Sequence, residues 1–213
     1  MDETDPKIFP AVASIAAIAT VAALLVSGSY ELSRDRIEVN RQEQLLQSLH
    51  ELVDAASYDN ELTASRMSVI DVELLGTAEP VDVFIATQNG QPVAAIFSSI
   101  APRGYIGPIS LLVGISADAV VTGVRVTDHR ETPGLGDAID LDKSNWILGF
   151  TGTSLSAPEI GEWFVQADGG EFDSITGATV TPRAVVKSVR DTLLYFERNR
   201  ETLFSNYLGT VDE

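Results

Sequence analysis

The chain has 213 residues, no cysteine, and 14 basic against 31 acidic side chains, a formal charge of −17. That charge argues against nucleic acid, which needs a basic footprint, and the missing cysteines exclude disulfides, thiolate nucleophiles and cysteine-ligated zinc or iron–sulfur centres. Hydrophobic residues make up 45 %, enough for a real core, while two histidines, His50 and His129, are too few for a His-rich metal site.

The first feature in chain order is the run Ile8 to Tyr30, 23 residues without a charge. As a helix it would be about 34 Å long, against a hydrocarbon core of about 30 Å. The leader before it, MDETDPK, is acidic, and the run is long for the apolar part of a signal peptide. Residues 1–30 therefore read as a tail and a retained transmembrane helix. Ala13 and Ala17, and Ala19 and Ala23, are four apart, a spacing that lets helices approach closely in lipid and suggests a membrane partner. Lys7 is the only basic side chain before the run, whereas Arg34, Arg36 and Arg41 follow it. By the positive-inside rule this count puts the bulk of the chain in the cytoplasm. Residues 31–213 hold 13 basic and 28 acidic side chains, an acidic domain.

Residues 31–60 read as a helical stalk, with Leu45, Leu46, Leu49, Leu52 and Val53 at helical spacing on one face. Residues 61–213 read as one further domain. Within it, 69–75 alternates and predicts a strand. Residues 81–87 and 93–98 flank Asn89-Gly90 and predict a hairpin. Residues 109–115 and 120–127 predict a second, with a Pro/Gly loop at 102–108 between the two. Thr181 is placed to cap a last helix, with Pro182 at its first position and Val185, Val189, Leu193 and Phe196 following to about Arg200. The expected fold class is α+β: a single N-terminal transmembrane helix, then one domain of β-hairpins with flanking helices.

Two stretches stand apart from ordinary core and loop. The first, His129 to Asp137, contains Glu131-Thr132-Pro133-Gly134-Leu135-Gly136, where two glycines let the backbone approach a ligand; taken alone it is a surface turn. The second, Asp173 to Arg183, sets four hydroxyls around Gly177-Ala178 just before a helix start. Unpaired N–H groups and positive partial charge at a helix N-terminus favour an anion, and Arg183, Lys187 and Arg190 add cations. On physics alone it is equally a Thr/Ser-rich cap.

The string Asp173-x-x-Thr176-Gly177-Ala178-Thr179-x-Thr181 resembles the flavinylation motif of membrane FMN-binding domains. Together with residues 104–115 and 125–137, it makes nearly the whole chain, from the anchor to about Arg190, similar to the G subunit of the Rnf/Rsx ion-translocating electron-transport complex. The resemblance implies FMN joined by a phosphoester to Thr179, attached by a separate flavin transferase, with Thr176, Gly177, Ala178 and Thr181 forming the motif around it. Glu131, Thr132, Leu135 and Gly136 are the candidates for the pocket wall. It implies a redox subunit rather than a stand-alone enzyme, relaying electrons between ferredoxin and NAD within a complex of membrane and peripheral subunits, in a bacterial inner membrane. It also places the FMN domain on the periplasmic side, against the arginine count, and we side with the resemblance because large domains translocate largely regardless of charge. Two alternatives remain: the C subunit of a sodium-translocating NADH:quinone reductase, and a non-redox membrane-anchored scaffold.

Overall fold

A computed structural model describes residues 8–211. The leader Met1–Lys7 lies outside the described residues, and so do the side chains of Arg34, Arg36 and Arg41. The chain divides into two compact units between Leu45 and Leu46.

The first unit is most of helix α1, Ile8–Leu52. Its described side chains from Val12 to Gly28 are all exposed, Ile18, Leu24 and Leu25 among them. Among the described residues no helix is long and apolar enough to cross a membrane. The expected span over Ile8–Tyr30 is therefore not seen as such among these residues.

The second unit is built on a five-stranded sheet, β1 (Arg66–Val69), β2 (Val81–Gln88), β3 (Gln91–Ala101), β4 (Ile109–Ser116) and β5 (Val121–Asp128), antiparallel throughout and in sequential order. Both expected hairpins are present. Asn89 and Gly90 both adopt positive φ, +50° and +74°, as a two-residue turn between right-twisted strands requires.

The expected strand at 69–75 is a correction. β1 ends at Val69, and Asp71 turns the chain by accepting backbone N–H bonds from Glu73 (3.0 Å) and Leu74 (2.9 Å) on its carboxylate. Ile70 and Val72 are exposed while Leu75 is buried. The apolar alternation was real, but an Asx turn supplied a competing set of hydrogen bonds.

Alternation along the strands sends Val83, Ile85, Ala95, Phe97, Leu111 and Val113 to one face. There they pack on helix α2, Val180–Val211, through Val185, Val189, Leu193 and Phe196. On the opposite face Leu52, at the end of α1, lies over Gly114 and Gly123, which pair across β4 and β5; a methyl group at Gly123 would lie 3.0 Å from its Cδ2. The sheet is thus covered on both faces, which is why its strands read as nearly continuous apolar runs. α2 extends eleven residues past the expected Arg200, because Leu203 is buried and Phe204 packs edge-on against Phe196. The architecture is an α+β domain.

Candidate functional site

Two loops meet at the start of α2. The first follows β5. Within it the Thr132 carbonyl accepts N–H bonds from Leu135 (3.1 Å) and Gly136 (2.9 Å), and Gly134 adopts φ +77° between them. This tight turn pushes Leu135 outward. The second loop is Asp173 to Thr179. Ala178 N–H donates to the Ile175 carbonyl at 3.1 Å, and Gly177 closes the turn at φ +82°, a conformation that a side chain resists. The two loops touch: a methyl group on Gly177 would lie 2.9 Å from Leu135 Cδ2. The distant motifs are brought together in space.

Behind this contact lies Glu131, only 3 % exposed. Its carboxylate accepts N–H bonds from Tyr105 (3.1 Å) and Ile106 (3.0 Å), and the hydroxyl of Thr181 donates to it. Burial pushes the Glu131 pKa up, but the Thr181 hydroxyl, the two N–H groups and nearby His129 outweigh it and hold the carboxyl below its ordinary value. Glu131 N–H in turn donates to His129 Nδ1 at 3.0 Å. That leaves Nε2 to carry the ring proton toward Asp140 Oδ2, 2.9 Å away.

Each expected site residue has a definite place. Thr176, Gly177 and Thr179 are exposed, Ala178 and Thr132 half-buried, Gly136 and Thr181 buried. Glu131 is turned inward, with both oxygens engaged. Thr181 is not the helix cap: α2 begins at Val180, so Thr179 is the residue that precedes the helix. The three cations expected to favour an anion are already paired. Arg183 makes a double contact with Asp168, at 2.6 and 2.7 Å, and both Lys187 and Arg190 pair with Asp191. With these side chains paired, the start of α2 beside Thr179 is the remaining source of positive partial charge considered above. Asp173 is held structurally: its Oδ1 accepts from the Gln166 amide at 3.0 Å, and its carbonyl accepts from the Trp146 indole at 2.8 Å.

The sequence reading missed Tyr105 and Ile106. They lie in residues 104–115, a stretch that carried part of the family resemblance but singled out no site residue, and the Glu131 bonds tie them to this turn. Tyr105 is 69 % exposed, Ile106 55 %, Leu135 43 % and Val180 40 %. Four apolar side chains displayed on segments that meet at one helix start are unusual for a solvated surface.

Such a site matches a recognised class. A family model described as an FMN-binding domain matches residues 104–194, which span the Tyr105 loop, the Glu131 turn and the Thr179 motif. Over most of the chain the similarity is narrower still. The G subunit of an ion-translocating oxidoreductase complex from Pseudoalteromonas atlantica is 47 % identical over 187 residues, 88 % of this chain and 87 % of that protein. Proteins of the same description from Shewanella baltica and Vibrio parahaemolyticus are 45 % and 43 % identical, covering 90 % and 94 % of this chain. The chain belongs to the family of G subunits of ion-translocating oxidoreductase complexes, and it carries that family's FMN-binding domain.

Proposed function

We propose that this chain is the membrane-anchored FMN subunit of an Rnf-type complex, with the flavin joined by a phosphoester to the Thr179 hydroxyl. The observation that carries the attachment point is the state of the four hydroxyls in the motif. Thr181 is buried and donates to Glu131, and Ser174 Oγ accepts from Ala167 N–H at 3.1 Å. Thr176 and Thr179 are exposed, and no described residue hydrogen-bonds either hydroxyl. Of these two, Thr179 immediately precedes α2, where the helix dipole favours a phosphate.

The residues present fit the group. Glycine at 177 clears the approach to Thr179, Leu135 and Val180 offer apolar surface beside it, and the helix N-terminus faces the charge. When bound, FMN supplies reversible electron storage, and the protein supplies position and local electrostatics. No described base adjoins Thr179, since the oxygens of Glu131 are engaged elsewhere. A separate transferase therefore completes the ester, moving the FMN moiety of FAD onto the hydroxyl with AMP as leaving group. A tethered cofactor cannot dissociate, so it can remain partly exposed and within reach of redox partners in the complex.

The anchor reading rests on α1. It is one continuous helix, its sequence carries no charge from Ile8 to Tyr30, and its described apolar side chains from Val12 to Val26 are exposed all round. A helix apolar on every side is either buried in protein or surrounded by lipid. We place the FMN domain on the periplasmic side of a bacterial inner membrane. A reporter enzyme fused after Glu213 should then be active only when exported; activity confined to the cytoplasm would reverse the orientation.

Intact mass tests the core of the proposal. Full-length protein from a host with a flavin transferase should be heavier than the polypeptide by one FMN less water. Thr179→Ala should lose that increment and Thr176→Ala should keep it. A wild-type mass equal to the bare chain, or an increment that survives Thr179→Ala, refutes the assignment.

A further inference from the structure

The buried carboxylate behind the site has no surface role, yet three segments depend on it. Glu131 Oε1 accepts Ile106 N–H, and Oε2 accepts both Tyr105 N–H and the Thr181 hydroxyl. The loop after β3, the turn after β5 and the first turn of α2 therefore share one anion. Two glycines make room for it. A methyl group at Gly104 would lie 2.9 Å from Glu131 Oε1, and one at Gly136 would lie 2.9 Å from Glu131 Cβ and 3.2 Å from both its Oε2 and Thr181 Oγ1. Gly136 thus serves the carboxylate rather than the outer surface, where Leu135 and Gly134 are exposed.

We infer that Glu131 is a positioning residue: its carboxylate holds the Tyr105–Ile106 turn against the helix start that follows Thr179, so that these two side chains form one wall of the flavin site. This inference rests on the function proposed above. The chemistry demands an anion. Two oxygens meet three donors, and a carboxylate accepts at every lone pair. A glutamine of the same shape would present an NH2 group to at least one of those backbone N–H donors and leave it without its acceptor. Nothing else among the described hydrogen bonds ties Tyr105 or Ile106 N–H to the domain, so loss of the anion frees the turn while the sheet and α2 remain packed by their own core.

The test uses full-length protein in detergent with three variants. Glu131→Gln removes the anion, Thr181→Val removes one donor, and Val189→Ala loosens the core away from the site. Amide hydrogen exchange at Tyr105 and Ile106 is followed together with the rate at which the flavin transferase loads FMN from FAD, by intact mass, and the fluorescence yield of the loaded flavin. In Glu131→Gln, exchange at the two amides should rise at least tenfold, loading should slow, and the fluorescence yield should shift. Thr181→Val should do the same more weakly. Val189→Ala, despite its lower melting temperature, should match wild type at both amides and in fluorescence. Wild-type exchange and fluorescence in Glu131→Gln, or the same changes in Val189→Ala, would overturn the positioning role. A wild-type chain that takes up no FMN at all would instead sink the function it rests on, and the exchange data alone would still decide whether Glu131 holds the turn.

Discussion

The two long helices use similar residues in opposite ways. Along α2, Val185, Val189, Leu193 and Phe196 recur at helical spacing, are fully buried, and alternate with exposed residues such as Arg183 and Lys187. Along α1, Val12, Ile15, Ile18, Val21, Leu24 and Leu25 are exposed on every side, and no polar face opposes them. A single apolar stripe is the mark of a helix that packs on one surface with water on the other. Apolar residues all round have no such partition, so the amphipathic rule that explains α2 does not explain the first half of α1. α2 gains its stability from the sheet it covers.

The sharpest way to break the comparison is to cut the same kind of side chain from each helix. Phe196→Ala should destabilise the domain by about 3–5 kcal/mol through the cavity it leaves, read from denaturant unfolding of the full chain. Leu24→Ala, at an exposed position, should change the same transition by less than about 0.5 kcal/mol; a comparable loss would contradict that exposure. Next in size is a charge in the apolar half of α1. Ile18→Lys should raise the cost of lipid insertion by about 3–4 kcal/mol and move protein from the membrane pellet to the soluble fraction, while an unchanged pellet would argue against a span.

The first turn of α2 is where that helix does more than pack. Glu131→Ala leaves the Tyr105 and Ile106 N–H groups and the Thr181 hydroxyl without their acceptor, and should cost about 2–4 kcal/mol. A smaller effect attaches to pH. The folded Glu131 carboxyl titrates below its unfolded value, which is about 4.3, so its contribution is fully present above that pH and is lost as pH falls through the lower folded value. The stability gap between wild type and Glu131→Gln should therefore narrow on acidification, and a gap constant down to the acid transition would contradict the ionised, bonded state. Smallest of all is Thr179→Ala. No described residue hydrogen-bonds that hydroxyl, so the change should shift unfolding of the unloaded protein by less than about 0.5 kcal/mol, below the usual worth of an N-cap, while abolishing the mass increment.

Much of this was readable from local chemistry. Asn89-Gly90 announced its hairpin because few other pairs accept two positive φ angles. The spacing of Val185, Val189, Leu193 and Phe196 announced α2 and its buried face. The segment 69–75 misled because its alternation was that of a strand, while Asp71 offered the backbone closer partners than a neighbouring strand did. Arg183 looked free because its partner Asp168 is fifteen residues earlier and nothing local pairs them, whereas Asp191, the partner of Lys187 and Arg190, stood within one helical turn and was overlooked.

The amino-acid order alone carried the hydrophobic periods, the Asn89-Gly90 turn, the uncharged run from Ile8 to Tyr30, and the Thr176–Thr181 and Glu131–Gly136 motifs. These depend on residues a few positions apart, where covalent geometry and side-chain size already restrict the outcome. It took the folded chain to show that the Thr181 hydroxyl is engaged, that the Tyr105–Ile106 turn is bonded to Glu131, and that Glu131 is buried. Those outcomes turn on hydrogen bonds between residues 25 to 50 positions apart. Such bonds form only once the sheet and α2 have brought the three segments together and excluded the water that would otherwise satisfy each group separately.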